Sequence, residues 1–254
     1  MNGLTLCELK KTIKRVDSKI LLALCFLPAV LCLMMVMRPD VFDISGNRLG
    51  AFEFTNYMLI IQNDVFMPLI MTVFIASMSF YQEISKKTIY FYKDIARKNV
   101  LNAKYISVYS VYFTFLILYT LVTFIFYFLV LRHHSMATGT LIAYPEPENV
   151  VDMLYATVQV ILGATFYIHV GICLALRVST GMSMFGITLF YIFAKMVPNF
   201  PFLKFVFPIG YKNLVDIGNH PYLLSMALSI VVYGIYHFAL YKINRDYFKN
   251  MQFN

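Results

Sequence analysis

Long apolar runs alternate with short charged stretches along the whole chain. The run at residues 105–131 holds 27 residues and no charge. A helix needs about 20 apolar residues to cross the bilayer core, so this run predicts a tilted span or one that extends past the hydrocarbon. The pattern predicts six spans, at residues 20–37, 57–81, 105–131, 153–176, 183–197 and 221–241. The second has two candidate starts, near Tyr57 or near Val65, because Gln62, Asn63 and Asp64 interrupt its apolar run. Pro28 predicts a kink or locally re-satisfied backbone in the first.

Three stretches between or beside the spans have their own patterns. Over residues 4–19, Leu6, Leu9, Ile13, Val16 and Ile20 share one helical face, with Glu8, Lys10, Lys11, Lys14 and Arg15 on the other. That predicts an amphipathic helix in the membrane interface rather than a cleavable leader. Over residues 82–98, Ile84, Thr88, Phe91 and Ile95 recur at helical spacing. Glu83 precedes Lys87 by four residues and Asp94 precedes Lys98 by four, so a short amphipathic surface helix is expected. Residues 199–219 are too apolar for a wet loop and too broken by Pro201, Pro208 and Gly210 for a straight span. They predict a re-entrant helical hairpin, which needs protein or a cavity around it.

Composition agrees with the pattern. Hydrophobic residues make up 60% and charged residues 13%, against roughly 25% charged in soluble domains. The fold class expected is a single all-α polytopic transmembrane domain over residues 1–254; a membrane barrel would need short alternating strands. The net charge of +8 does not indicate nucleic acid, because fifteen of the twenty-one Lys and Arg fall on one side of the six-span topology. By the positive-inside rule that side, with both termini, is cytoplasmic. The four Cys have no C-x-x-C spacing and no nearby His, which gives no metal site.

Candidate chemistry is sparse. None of the eleven Gly is followed by Lys, so the chain holds no P-loop and cannot hydrolyse ATP through one. No H-E-x-x-H or G-x-S-x-G occurs, so an enzyme is not expected, and an intramembrane enzyme ranks last. Carboxylates within the spans are nearly lacking, which argues against an ion-coupled carrier. Asn63, Asp64, Gln159 and His169 are the polar candidates for a translocation path. Asp64 sits either at the outer interface or in a polar cavity, the interface being favoured. Each of the four is also readable as an ordinary packing or interfacial residue. A transporter of this kind would draw on an outside energy source; the rival reading is a non-transport sensor or assembly partner.

At this point the chain resembles the membrane subunits of bacterial type 2 ABC exporters, most closely the peptide-export and lantibiotic-immunity permeases. That family places an interfacial helix before the first span, a coupling helix between the second and third, and re-entrant helices before the sixth. It often reads E-x-x-x-G-T at the start of the coupling segment, then P-x-x-R and a later Lys. Here Glu83, Lys87, Thr88, Arg97 and Lys104 match; Lys87 stands at the glycine place, and the proline is missing. The resemblance implies a cytoplasmic coupling helix carrying Glu83, Ile84, Lys87, Thr88, Phe91, Asp94, Arg97 and Lys98. It implies two separate ATPase subunits that bind ATP and magnesium, with no cofactor in this chain. It implies a second copy or a paralogous permease, a bacterial cytoplasmic membrane, and export of an amphipathic peptide or other hydrophobic compound.

Overall fold

The computed structural model describes residues 2–38, 48–92, 94–134, 136–200, 203, 205–207, 211 and 221–251. Among them the fold is all-α, with six segments long and apolar enough to cross a membrane: Val16–Met37, Met67–Ser85, Arg97–His133, Asn149–Ala175, Thr180–Asn199 and Leu224–Asn250. Large apolar side chains such as Val30, Ile117, Phe185 and Phe238 point outward from these helices. A contiguous apolar exterior of this kind suits lipid rather than water. Most of the 199–219 hairpin expected from the sequence lies outside the described residues.

Helix α1 (Asn2–Lys14) stops at Arg15, whose extended backbone separates it from α2 (Val16–Ala23). The amphipathic helix is therefore shorter than the expected 4–19, and Val16 already belongs to the first span. Its orientation follows its two faces. Leu6 and Ile13 are exposed, whereas Glu8 and Thr12 are buried against the bundle. Leu6 and Ile13 are left for lipid while Leu9 packs against the core, and on the polar side Glu8 and Thr12 find partners inside whereas Lys10 and Lys14 stay exposed. A 3-10 turn at Leu24–Phe26 follows, then α3 (Leu27–Met37) with Pro28 in its first turn. Proline is tolerated there because first-turn N–H groups have no intrahelical partner. The kink expected at Pro28 is thus a short re-start of the helix.

The second passage differs from expectation. The second span is expected to start near Tyr57 or Val65; helix α4 begins earlier, at Ala51, and runs to Val65, and α5 spans Met67–Ser85, next to the later of the two starts. Between them Phe66 takes a left-handed conformation, φ 58°. The polar triplet Gln62–Asp64 is thus the last turn of a helix. Ahead of α4, Leu49 pairs with the loop after the third span: its N–H donates to Met136 O at 2.9 Å, and Thr138 N–H donates to Leu49 O at 3.0 Å.

The continuous helix expected over 82–98 does not form. Helix α5 ends at Ser85, Lys87 is left-handed at φ 58°, a 3-10 turn covers Thr88–Tyr92, and α6 (Arg97–Leu129) starts afresh. The connection must reverse the chain between two adjacent spans, and a straight helix cannot do that. The expected Glu83–Lys87 pair also gives way, because Glu83 turns inward to Lys11 and Lys104.

Helix α6 is the central post, packed by α1, α3, α4, α5 and the last helix, α9 (Pro221–Asn250). Its inward face is aromatic: Tyr112, Phe115, Tyr119 and Tyr127 are all buried. Helices α7 (Pro147–Ala175), α8 (Thr180–Met196) and α9 (Pro221–Asn250) complete the bundle. Close approach of α5 and α7 depends on Gly171, where an added Cβ would lie 2.4 Å from Val73 Cγ2. Small residues at such crossings let helix backbones meet.

Candidate functional site

Two polar assemblies stand out, one at each end of the bundle, with a third between them. At the end carrying both termini, Lys104 is fully buried. Its Nζ lies 2.7 Å from Glu83 Oε2 and 3.2 Å from Glu8 Oε2, and it donates to Ser79 O at 3.0 Å. Glu83 Oε1 takes Lys11 Nζ at 2.5 Å. Glu8 Oε1 accepts from the Tyr92 hydroxyl. Two carboxylates thus face two ammonium groups, as burial of charge requires. Burial alone would raise the Glu8 carboxyl; Lys104, the Tyr92 bond and Lys11 outweigh it and hold Glu8 below its usual value.

This cluster joins α1, the end of α5, the 3-10 turn and the start of α6. Ser107 extends the seam by donating to Thr12 Oγ1 at 2.6 Å. Of the coupling residues expected from the sequence, Glu83 is interior and Ile84 packs against the core. Thr88 donates to Glu83 O at 3.3 Å. Lys87, Asp94, Arg97 and Lys98 are exposed, with Ile95 beside them. Phe91 lies in the 3-10 turn.

At the other end, three of the four path candidates meet. Asn63, Asp64 and Gln159 line one pocket of about 190 Å³ with Tyr155, Tyr167, Lys195 and Tyr233. Asp64 Oδ1 pairs with Lys195 Nζ at 2.6 Å, and both side chains are partly solvent-accessible. Lys195 also sits 5.6 Å from the Tyr191 ring centroid. Gln159 Nε2 donates to Ser229 Oγ at 2.5 Å. Asn63 Oδ1 and Gln159 Oε1 are buried without a hydrogen-bond partner. The pocket therefore offers acceptors to a ligand N–H or O–H, aromatic walls, and a charge pair at its side. Unsatisfied polar groups of this sort cost free energy until water or a ligand reaches them.

His169 is not in that pocket. Its Nδ1 lies 2.9 Å from His237 Nδ1, and its Nε2 lies 3.1 Å from the Tyr105 hydroxyl. Asn244 Nδ2 donates to the same hydroxyl at 2.7 Å, and Arg177 Nη1 donates to Asn244 Oδ1 at 2.9 Å. The network ties α6, α7 and α9 together. Sequence reasoning passed over His237, Tyr233 and the Glu8–Lys104 pairing, whose partners lie far apart in the chain. Among the described residues no group of three or more His, Cys, Asp or Glu could hold a metal ion.

Six apolar passages, a lipid-suited exterior and buried polar clusters define a multi-pass, all-helical membrane protein, compatible with a transporter-like role. No family model matches the chain, and no curated protein or solved structure matches it.

Proposed function

We propose that this chain is the membrane-spanning permease of an ATP-driven exporter of the type 2 ABC kind. It works as a dimer, or with a paralogous permease, beside two separate ATPase subunits that hold ATP and magnesium. One observation carries the reading: buried Glu83 and Lys104 weld the connection between α5 and α6 to both helices and to α1. A push on the exposed Lys87, Asp94 and Ile95 would then move three helices as one piece. ATPase closure supplies that push, with Lys87, Asp94 and Ile95 forming the docking surface and Glu83 the anchor behind it. Helix α1 rides with the anchor, and the excess of Lys and Arg on that side supports a cytoplasmic face for it and for both termini.

The exported molecule is an amphipathic peptide or another hydrophobic compound carrying N–H or O–H donors. It meets Asn63, Asp64 and Gln159 in the pocket near the outer face, where aromatic walls adapt to apolar side chains. The membrane is a bacterial cytoplasmic membrane.

The test is isolation of the intact protein from its native membrane in nanodiscs. A co-purifying ATPase, lost in Ile95→Asp and Lys87→Glu but kept in wild type, is the expected result. Absence of any ATPase, in a preparation that retains its fold, rejects the reading in favour of a sensor or assembly partner.

A further inference from the structure

Beside the first turn of α6 and the last two turns of α9 lies a cleft of about 610 Å³, lined by Arg97, Lys98, Leu101, Arg245, Asp246, Phe248 and Lys249. Its walls bring four cations against one carboxylate. Arg245 is the cation that pairs with Asp246, through Nη2 at 3.1 Å. Arg97 clasps the end of α9, donating to Lys249 O and, at 2.8 Å, to Met251 O. Leu101 and Phe248, both buried, form an apolar floor. The start of α6 adds to the positive field, because no side chain caps it and its first turn holds no acid.

We propose that this cleft binds the phosphate group of an anionic phospholipid. Depth selects the lipid. The uncharged run begins at Tyr105, seven residues after Lys98, so Lys98 lies about 10 Å outside the apolar core. The headgroup layer occupies roughly 5–8 Å beyond the hydrocarbon on each side. Long Lys side chains turn back toward the interface, so the ammonium groups of the cleft meet the outer edge of that layer and its phosphates. The same two helices expose Ile106 and Ile243 within two turns of it, which gives an acyl chain an apolar track. Basic pockets between spans take anionic headgroups on the same physical grounds. This inference does not rest on the exporter reading.

The experiment is native mass spectrometry of the full chain released from mixed micelles of phosphatidylglycerol and phosphatidylcholine, with the thermal transition as a fold control. Wild type is expected to retain phosphatidylglycerol preferentially, less so as salt rises. Each cation near a membrane surface is worth about a fivefold change in anionic-lipid binding. Folded Lys98→Gln/Lys249→Gln should therefore lose at least about tenfold in phosphatidylglycerol retention, with phosphatidylcholine unchanged. Retention of phosphatidylglycerol within twofold of wild type overturns the proposal, as does equal retention of the two lipids by wild type. Displacement of the lipid by millimolar glycerol phosphate would instead assign the cleft to a soluble phosphate and defeat the lipid assignment. Loss of a co-purifying protein from the double variant, with lipid retention intact, would mark the cleft as a protein contact and also defeat it. Should the double variant fail to fold, Lys249→Gln alone and the salt series on wild type decide by the same readout.

Discussion

Lys104 Nζ and Glu83 Oε2 stand 2.7 Å apart in the interior, and the same fully buried Nζ lies 3.2 Å from Glu8 Oε2, while the more exposed Lys11 bridges the other oxygens of both carboxylates. Removing one partner of a buried ion pair costs about 3–5 kcal/mol, because the other charge is left without compensation. Lys104→Met should therefore lower the thermal transition sharply in detergent. Adding Glu8→Gln and Glu83→Gln to it should restore much of the loss. A Lys104→Met variant as stable as wild type would contradict the cluster.

The same cluster sets a pH dependence. Glu8 is held below its ordinary value of 4.5 by Lys104, Tyr92 and Lys11, against the opposing effect of burial. A depressed folded value means that ionised Glu8 contributes stability above about 4.5 and loses it as pH falls through the lower folded value. Thermal transitions taken from pH 7 down to pH 3 should fall in wild type more steeply than in Glu8→Gln, read as the difference between the two curves.

Lys87 and Phe66 share φ 58° but should respond oppositely to glycine. Lys87 is exposed, so Lys87→Gly relieves left-handed strain at no packing loss and should stabilise by up to about 1 kcal/mol. Phe66 is buried and stacked on Tyr191 at 3.9 Å between ring centroids. Its truncation should cost about 3–5 kcal/mol, which exceeds the backbone gain. Paired melting curves of the two variants test the sign.

Gly171→Ala should destabilise by about 1–3 kcal/mol, since overpacking forces the crossing apart. Val73→Ala removes the atoms 2.4 Å and 3.0 Å from the new Cβ. The double variant should therefore recover part of what Gly171→Ala loses beyond the cost of Val73→Ala alone, and additive costs would reject the contact.

Asp64 and Lys195 are half-exposed, and such pairs are worth about 0–1 kcal/mol. Asp64→Asn should leave the melting temperature nearly unchanged. Any loss of export, or of substrate-stimulated ATPase activity in a reconstituted complex, would then report on the pocket rather than on folding.

The apolar runs carried most of the fold, because lipid imposes length and composition on each span directly. What they concealed was local. Gln62, Asn63 and Asp64 read as a break in the apolar run, and the break falls two residues later, at Phe66. Charges at i,i+4 made residues 82–98 look like one helix, but Glu83 has stronger partners 21 and 72 residues away in sequence. Polar residues within the spans were visible as candidates, and three of them do share a pocket. Their aromatic neighbours were not separable from the many Phe and Tyr that face lipid. His169 was legible by itself; its contact with His237, across 68 residues, was not.

The wide spacing between Glu8 and Lys104 also dictates an order of events during synthesis. Glu8 is made early, and its principal countercharge follows 96 residues later. At translation rates of about 5–20 residues per second, that is a delay of roughly 5–20 s. Throughout it, α1 has no neutralised place inside the bundle and can rest only on the membrane surface, apolar side down. Helix α1, made before the third span, is thus seated only once that span has begun, so a segment made earlier is locked in by one made later.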